Sequence, residues 1–342
     1  MPGSADYARL VPVLRYMKSR MLGPKLKEIA PPLSEAVMAL RESLYSRAAE
    51  AKDPESFERA LAAVYFSNLE EVYRLAPAEA RGLINAFGRL KELEDLMTVA
   101  RALAEGQPPP RWLPSMEWGL SSTAHVLQEL EASASLSRLQ EAVRDRDLKG
   151  AVAMALEAYT DLRQPEVFTF LSLLGGSLLL RGALAAVGGP EAKDVERIIC
   201  PLVEERAALG LLEAWALRLN PKTFARAVEG PKVCGVDWAL LAAAYERGLE
   251  GEVTGLVMDV SPALRYVKLE GRSVKELMAS ARRSARLAAH RASLAAFEGY
   301  PFTPALVAAA LTLLTLEVDS VRALVGGIML NLTQEELEQA VI

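Results

Sequence analysis

The stretch YPFTPALVAAALTLLTLEVDSV, residues 300–321, is the most apolar in the chain, yet it ends in Glu317 and Asp319. Whether it crosses a membrane or fills a core decides the fold. A membrane-crossing helix needs about 20 mostly apolar residues. Here the run extends from Thr303 to Leu316, 14 residues, and includes Thr303, Thr312 and Thr315. Thr303 is placed to cap a first turn, and Pro304 stands where a missing N–H is harmless. A second stretch, FTFLSLLGGSLLLRGALAAV from Phe168, is broken by Gly175, Gly176 and Arg181. Neither reads as a transmembrane helix. A helix apolar on nearly every side is then expected inside a helical assembly.

The rest of the chain points the same way. It has 342 residues, 51% apolar and 24% charged, the range of a folded protein with a large core. Aromatics are only 6%, while Ala, Leu, Arg and Glu, all strong helix formers, dominate. Proline repeatedly follows a capping residue: DPESFERAL from Asp53, NPKTFARAV from Asn220, SPALRYV from Ser261 and FTPALV from Phe302. LTQEELEQAV adds a capping box, Thr333 with Glu336. No run alternates apolar and polar residues as a strand would. The expected class is all-α.

Loop signals fall at 105–115, 187–194, 229–237 and 297–304, and the first and third cut the chain into rough thirds. An acid, three residues and an apolar residue recur in ELEDL (Glu92, Leu96), DVERI (Asp194, Ile198) and EVDSV (Glu317, Val321), roughly 100–120 residues apart. Three helical subdomains over 1–110, 111–230 and 231–342 would fit that repetition.

Composition also bounds function. A net charge of −5 argues against a general nucleic-acid binder. The charged N-terminus is not a signal peptide. Four Asn and six Gln suit a thermophile's protein. The two cysteines, Cys200 and Cys234, lie in apolar surroundings and read as buried reduced thiols of a cytosolic protein, with a single disulfide as the alternative.

Little in the sequence supports catalysis. His125 and His290 are the only histidines and both sit in ordinary amphipathic helix, and no glycine loop of phosphate-binding type is present. The glycine pairs in LGGS and VGGI read as close helix packing or a kink rather than a phosphate cradle. A Mg²⁺-dependent all-α prenyl-diphosphate enzyme would need clustered carboxylates. Glu92 and Asp95 offer one pair without a second acidic helix, and RDRDLKG (144–150) mixes acids with arginines. Two basic clusters stand out: Arg9, Arg15, Lys18, Arg20, Lys25 and Lys27, then Arg282, Arg283, Arg286 and Arg291. Each reads either as a solvated helix face or as a surface for acidic protein or anionic head groups.

The two ends resemble the C-type rotor component of archaeal-type and vacuolar-type rotary ATPases, whose vacuolar counterpart carries the letter d. YARLVPVLRYMKSRML (7–22) is similar to the family's N-terminal signature at Tyr7, Arg15, Lys18, Ser19, Met21 and Leu22. The C-terminal stretch from Pro301 follows the family's order through Phe302, Glu317, Val321, Arg322 and Gly326. ELEDLMTVARALAEG resembles its internal motif at Glu92, Leu96, Arg101 and Gly106, while Asp95, Arg197 and Ser320 stand where asparagine is usual.

The resemblance implies a funnel-shaped body of three pseudo-three-fold-related helical subdomains. It further implies a protein with no active site, cofactor or metal, peripheral on the cytoplasmic face of the cell membrane. There it would join the central shaft to the proteolipid ring and transmit torque for ATP synthesis or ATP-driven cation transport. On that reading Arg15, Lys18, Arg20, Arg282, Arg283 and Arg286 are ring- or lipid-facing candidates. Glu92, Asp194 and Glu317 are motif positions of structural role. A generic helical scaffold is the alternative, and the prenyl-diphosphate enzyme a more distant one.

Overall fold

A computed structural model of the chain describes residues 4–23, 26, 33–189, 191–330 and 332. Along the chain the helices are α1 (Ser4–Tyr7), α2 (Leu10–Arg20), α3 (Leu33–Arg41), α4 (Pro54–Leu75) and α5 (Ala78–Ala104). They continue with α6 (Thr123–Ala132), α7 (Leu136–Ala142), α8 (Arg146–Leu162), α9 (Val167–Ala186) and α10 (Ala192–Ala216). The last are α11 (Pro221–Val228), α12 (Trp238–Gly248), α13 (Val253–Val260), α14 (Val274–Glu298) and α15 (Pro304–Met329). Among the described residues there is no strand, so the protein is all-α.

The chain divides into two compact units, one of Met1–Asn85, Glu117–Gly119 and His290–Ile342, the other of Ala86–Met116 and Leu120–Ala289. In the first, α15 packs against α2, α3 and α4. In the second, α9 packs against α8, α10 and α11.

The cap chemistry explains several helix starts. Asp53 accepts the Ser56 N–H at 2.8 Å in a reciprocal capping box, with Pro54 in the first turn of α4. Asn220 accepts the Lys222 N–H at 2.9 Å ahead of Pro221. Asp145 caps α8 by accepting from Asp147 and Leu148, and Arg89 pairs with it, which absorbs the mixed-charge RDRDLKG segment into structure. Two expectations change. Thr303 occupies the cap position of α15 but its side chain makes no capping bond. Ser261 starts a single 3₁₀ turn rather than an α-helix, because its hydroxyl turns back to the Val257 carbonyl and closes α13. The capping pair Thr333 and Glu336 lies outside the described residues.

The apolar stretch at 300–321 belongs to a helix longer than its uncharged core. The helix passes through Glu317, Asp319 and Arg322 to Met329, 26 residues, which is enough to cross a bilayer by length and composition. Its burial is that of a core helix: 94% of its apolar window is enclosed by protein. Each fully buried leucine contributes about 2 kcal/mol. Two of its hydroxyls turn back to their own helix backbone, Thr315 to Leu311 and Ser320 to Leu316.

In α9 the glycine pair does what its sequence suggests. A Cβ at Gly175 would meet Leu93 at 2.9 Å, and one at Gly176 would meet Arg206 at 2.8 Å and Leu90 at 3.0 Å. Opposite, Gly210 of α10 admits Leu174, which a Cβ would meet at 2.7 Å. Small residues set how closely these helices approach.

The cysteines depart from the expected thiols. Cys200, within α10, and Cys234, in the loop before α12, form a disulfide with their Cα atoms 5.2 Å apart. Their apolar surroundings are legible in the sequence, since both are buried. Their pairing is not, because 34 residues and a whole helix separate them.

Candidate functional site

Three buried glutamates recur on three long helices, and each takes main-chain N–H groups from a separate loop. On α5, Glu92 accepts the Ser122 N–H and hydroxyl, both at 2.6 Å, and the Ser121 hydroxyl at 3.2 Å. One turn on, Asp95 accepts the Ser115 N–H at 2.6 Å. On α10, one oxygen of Glu204 accepts from Arg265, Tyr266 and Val267 at 2.9, 2.7 and 3.3 Å. On α15, Glu317 accepts from Leu22 at 2.5 Å and Gly23 at 3.4 Å. A buried carboxylate is costly unless hydrogen-bonded, and N–H donors bonded to an ionised acceptor are the stronger kind. Each glutamate therefore fixes a loop that has no other ladder to join.

The register is regular. Glu92, Glu204 and Glu317 stand 112 and 113 residues apart. The helices that carry them each end twelve residues later, at Ala104, Ala216 and Met329. Asp194, the middle residue of the sequence pattern, lies elsewhere. Its side chain is 61% exposed and pairs with Arg197 at 3.3 Å. Glu204 fits the same acid-to-apolar spacing, with Ala208. Even spacing is the signal that distinguishes it.

Burial dominates the electrostatics. It pushes the Glu317 carboxyl up to about 7, against the opposing pull of the Leu22 and Gly23 amides and the adjacent Tyr45 hydroxyl. Asp95 is pushed up to about 6 and Glu204 is raised, both by burial. Tyr45 is raised well above the usual phenol range by burial and then by the charge of Glu317.

A buried cation mirrors these acids. Arg181 of α9 is almost wholly enclosed, and burial lowers it to about 10. Nε and Nη1 donate to the Pro231 and Val228 carbonyls at 2.9 and 2.7 Å, and the guanidinium lies 3.7 Å over the Trp238 ring. In the sequence Arg181 is only an interruption of an apolar run. Its role depends on a loop 50 residues away.

The two basic clusters sort into committed and open members. Arg20 donates to the Ser43 carbonyl at 3.2 Å, and Lys18 sits 4.5 Å over the Phe297 ring. Arg286 pairs with the buried Glu205 at 2.9 Å. Arg15, Arg282, Arg283 and Arg291 are exposed, with Arg282 close enough to Glu213 to oppose the rise that burial imposes there. Lys25 and Lys27 lie outside the described residues. Both histidines are half-buried helix residues, His125 within 3.5 Å of Glu129.

Among the described residues no group of three or more His, Cys, Asp and Glu could hold a metal ion. Each of these buried acids accepts at least one main-chain amide, so their bonds position backbone. These features define an all-helical body whose interior ions brace its loops. Residues 10–171 match the family model described as the ATP synthase (C/AC39) subunit, the family that the chain's ends resemble. That family is a non-catalytic component of V/A-type ATP synthases, membrane-associated assemblies of several subunits. The C-terminal likeness at Glu317 and Gly326 lies beyond the matched segment. No curated protein matches the chain.

Proposed function

We propose that this chain is the rotor-coupling component of a V/A-type rotary ATPase, joining the central shaft to the proteolipid ring. It carries torque between the ATPase head and the ring, for ATP synthesis or ATP-driven cation transport, from the cytoplasmic face of the membrane. It performs no chemistry of its own. The observation that carries this reading is the family match over residues 10–171.

The interior is suited to the task. A part that transmits torque must not deform, and close-packed interiors pass strain on with little compression. α15 is sealed on nearly every side, α9 and α10 interlock through glycine, and α5, α10 and α15 each hold a distant loop through a glutamate. We read the even spacing of those glutamates as three related helical repeats. Arg282 and Arg283, exposed as Arg291 also is, are the better candidates for the ring in the second basic cluster. Arg286, already paired with Glu205, is the weaker candidate of the three.

Co-purification of the tagged chain from native membranes tests the reading. It predicts recovery of proteolipid ring and shaft proteins together. Consistent recovery of neither rejects it. Within a recovered complex, unchanged ring binding by Arg282→Glu with Arg283→Glu would remove that cluster from the interface.

A further inference from the structure

We propose that the exposed side of α2, with Arg9 just before it, docks on an anionic lipid surface through Arg9 and Arg15, with Tyr16 as the interfacial anchor and exposed Tyr300 as a second candidate anchor. Arg9, Pro12, Arg15, Tyr16 and Ser19 are all exposed and recur at helical spacing, so they form one stripe. The opposite side of the helix, Leu10, Leu14 and Met17, is buried. From residue 7 to residue 23 there is no acid, while Asp6 stands exposed just before. Arg9 and Arg15 have no ion-pair or hydrogen-bond partner among the described residues.

The aromatic component is equally uneven. Tyr16 is 65% exposed and Tyr300 66%, in a protein that buries most of its large apolar side chains. Lys18 joins the two segments by resting on Phe297, three residues before Tyr300, which in turn packs edge-on against Phe302. Unpaired arginines on the same exposed stripe as a tyrosine, as Arg9 and Arg15 are with Tyr16, are the chemistry of a membrane interface. Long basic side chains reach phosphates while the phenol ring sits at head-group level. This assignment rests on the surface itself and would survive loss of the rotor reading.

The test is flotation of the purified full chain with phosphatidylcholine vesicles, with and without phosphatidylglycerol, at low and high salt. The proposal predicts binding only to the anionic vesicles and release by salt. Each neutralised cation should weaken binding about fivefold, so Arg9→Gln with Arg15→Gln should lose about 25-fold. Tyr16→Ala should weaken it further, whereas Arg197→Gln, at an exposed position in the other unit, should leave it unchanged. All these positions are exposed, and an unaltered melting temperature will show that the fold persists. Equal binding to neutral vesicles, no binding at all, or a double variant that behaves like Arg197→Gln overturns the proposal. If vesicles fail while purified ATPase complex captures the chain in a manner that needs Arg9 and Arg15, the stripe is a protein-docking surface and the lipid assignment falls.

Discussion

α15 and α9 are, among the described residues, the two helices long and apolar enough to cross a membrane, and each encloses one deeply placed ion of opposite sign. In α15 it is Glu317, a carboxylate that takes N–H groups from Leu22 and Gly23. In α9 it is Arg181, a guanidinium that gives to the carbonyls of Val228 and Pro231. The polarity is reversed and the service is the same: an apolar helix spends one charge on tying down a loop. The supports differ. The loop held by Arg181 also carries the Cys200–Cys234 disulfide, whereas no disulfide secures the segment held by Glu317. Enclosure differs too, with 94% of the α15 window buried against 67% for α9.

The largest expected effect concerns the double tie of the α9 loop. Closing a 34-residue span stabilises by about 4 kcal/mol in the chain-entropy account. Reduction, or Cys234→Ser, should lower the unfolding free energy by nearly that amount in denaturant titrations. A loss below about 1 kcal/mol would mean that Arg181 alone secures the loop.

Glu317 yields a pH signature with a definite sign and a comparable size. Its carboxyl titrates at about 7 in the folded state against 4.5 ordinarily. Between those values the folded protein keeps a proton that the unfolded chain has released, so stability is greatest at the acid end and falls as pH rises toward 7. Glu317→Gln lacks this titration. Relative to the variant, the native protein should lose about 3 kcal/mol between pH 4.5 and pH 7. A difference that stays constant across that window would mean that the carboxylate is far better solvated than its burial implies.

Arg181→Ala is the matching change in α9. It leaves two carbonyls without their donor and opens space beside Trp238, which together should cost about 3 kcal/mol in denaturant titrations. Equal costs in the oxidised and reduced protein would show that the two ties act independently, and a larger cost after reduction that they share the load.

Much of this is readable from local chemistry. Asp53-Pro54 and Asn220-Pro221 announce their helices, and the glycines of α9 announce close packing. The family likeness is also local, carried by residues such as Tyr7, Arg15 and Glu92. What escapes is long-range. Nothing near Arg181 names the carbonyls it serves, nothing near Cys200 names Cys234, and Asp194 shares with Glu204 a local pattern too short to separate them. Only the even spacing of the three glutamates carries that information, and it acquires meaning once the helix ends are known.

The central structural claim is that Glu92, Glu204 and Glu317 are equivalent braces. Amide hydrogen exchange on the Glu204→Ala protein tests it most directly, with Asp194→Ala alongside. The account predicts faster exchange at residues 265–267 in Glu204→Ala and no change anywhere in Asp194→Ala beyond its own turn. Unaltered protection at 265–267, or the same loosening from Asp194→Ala, would contradict it.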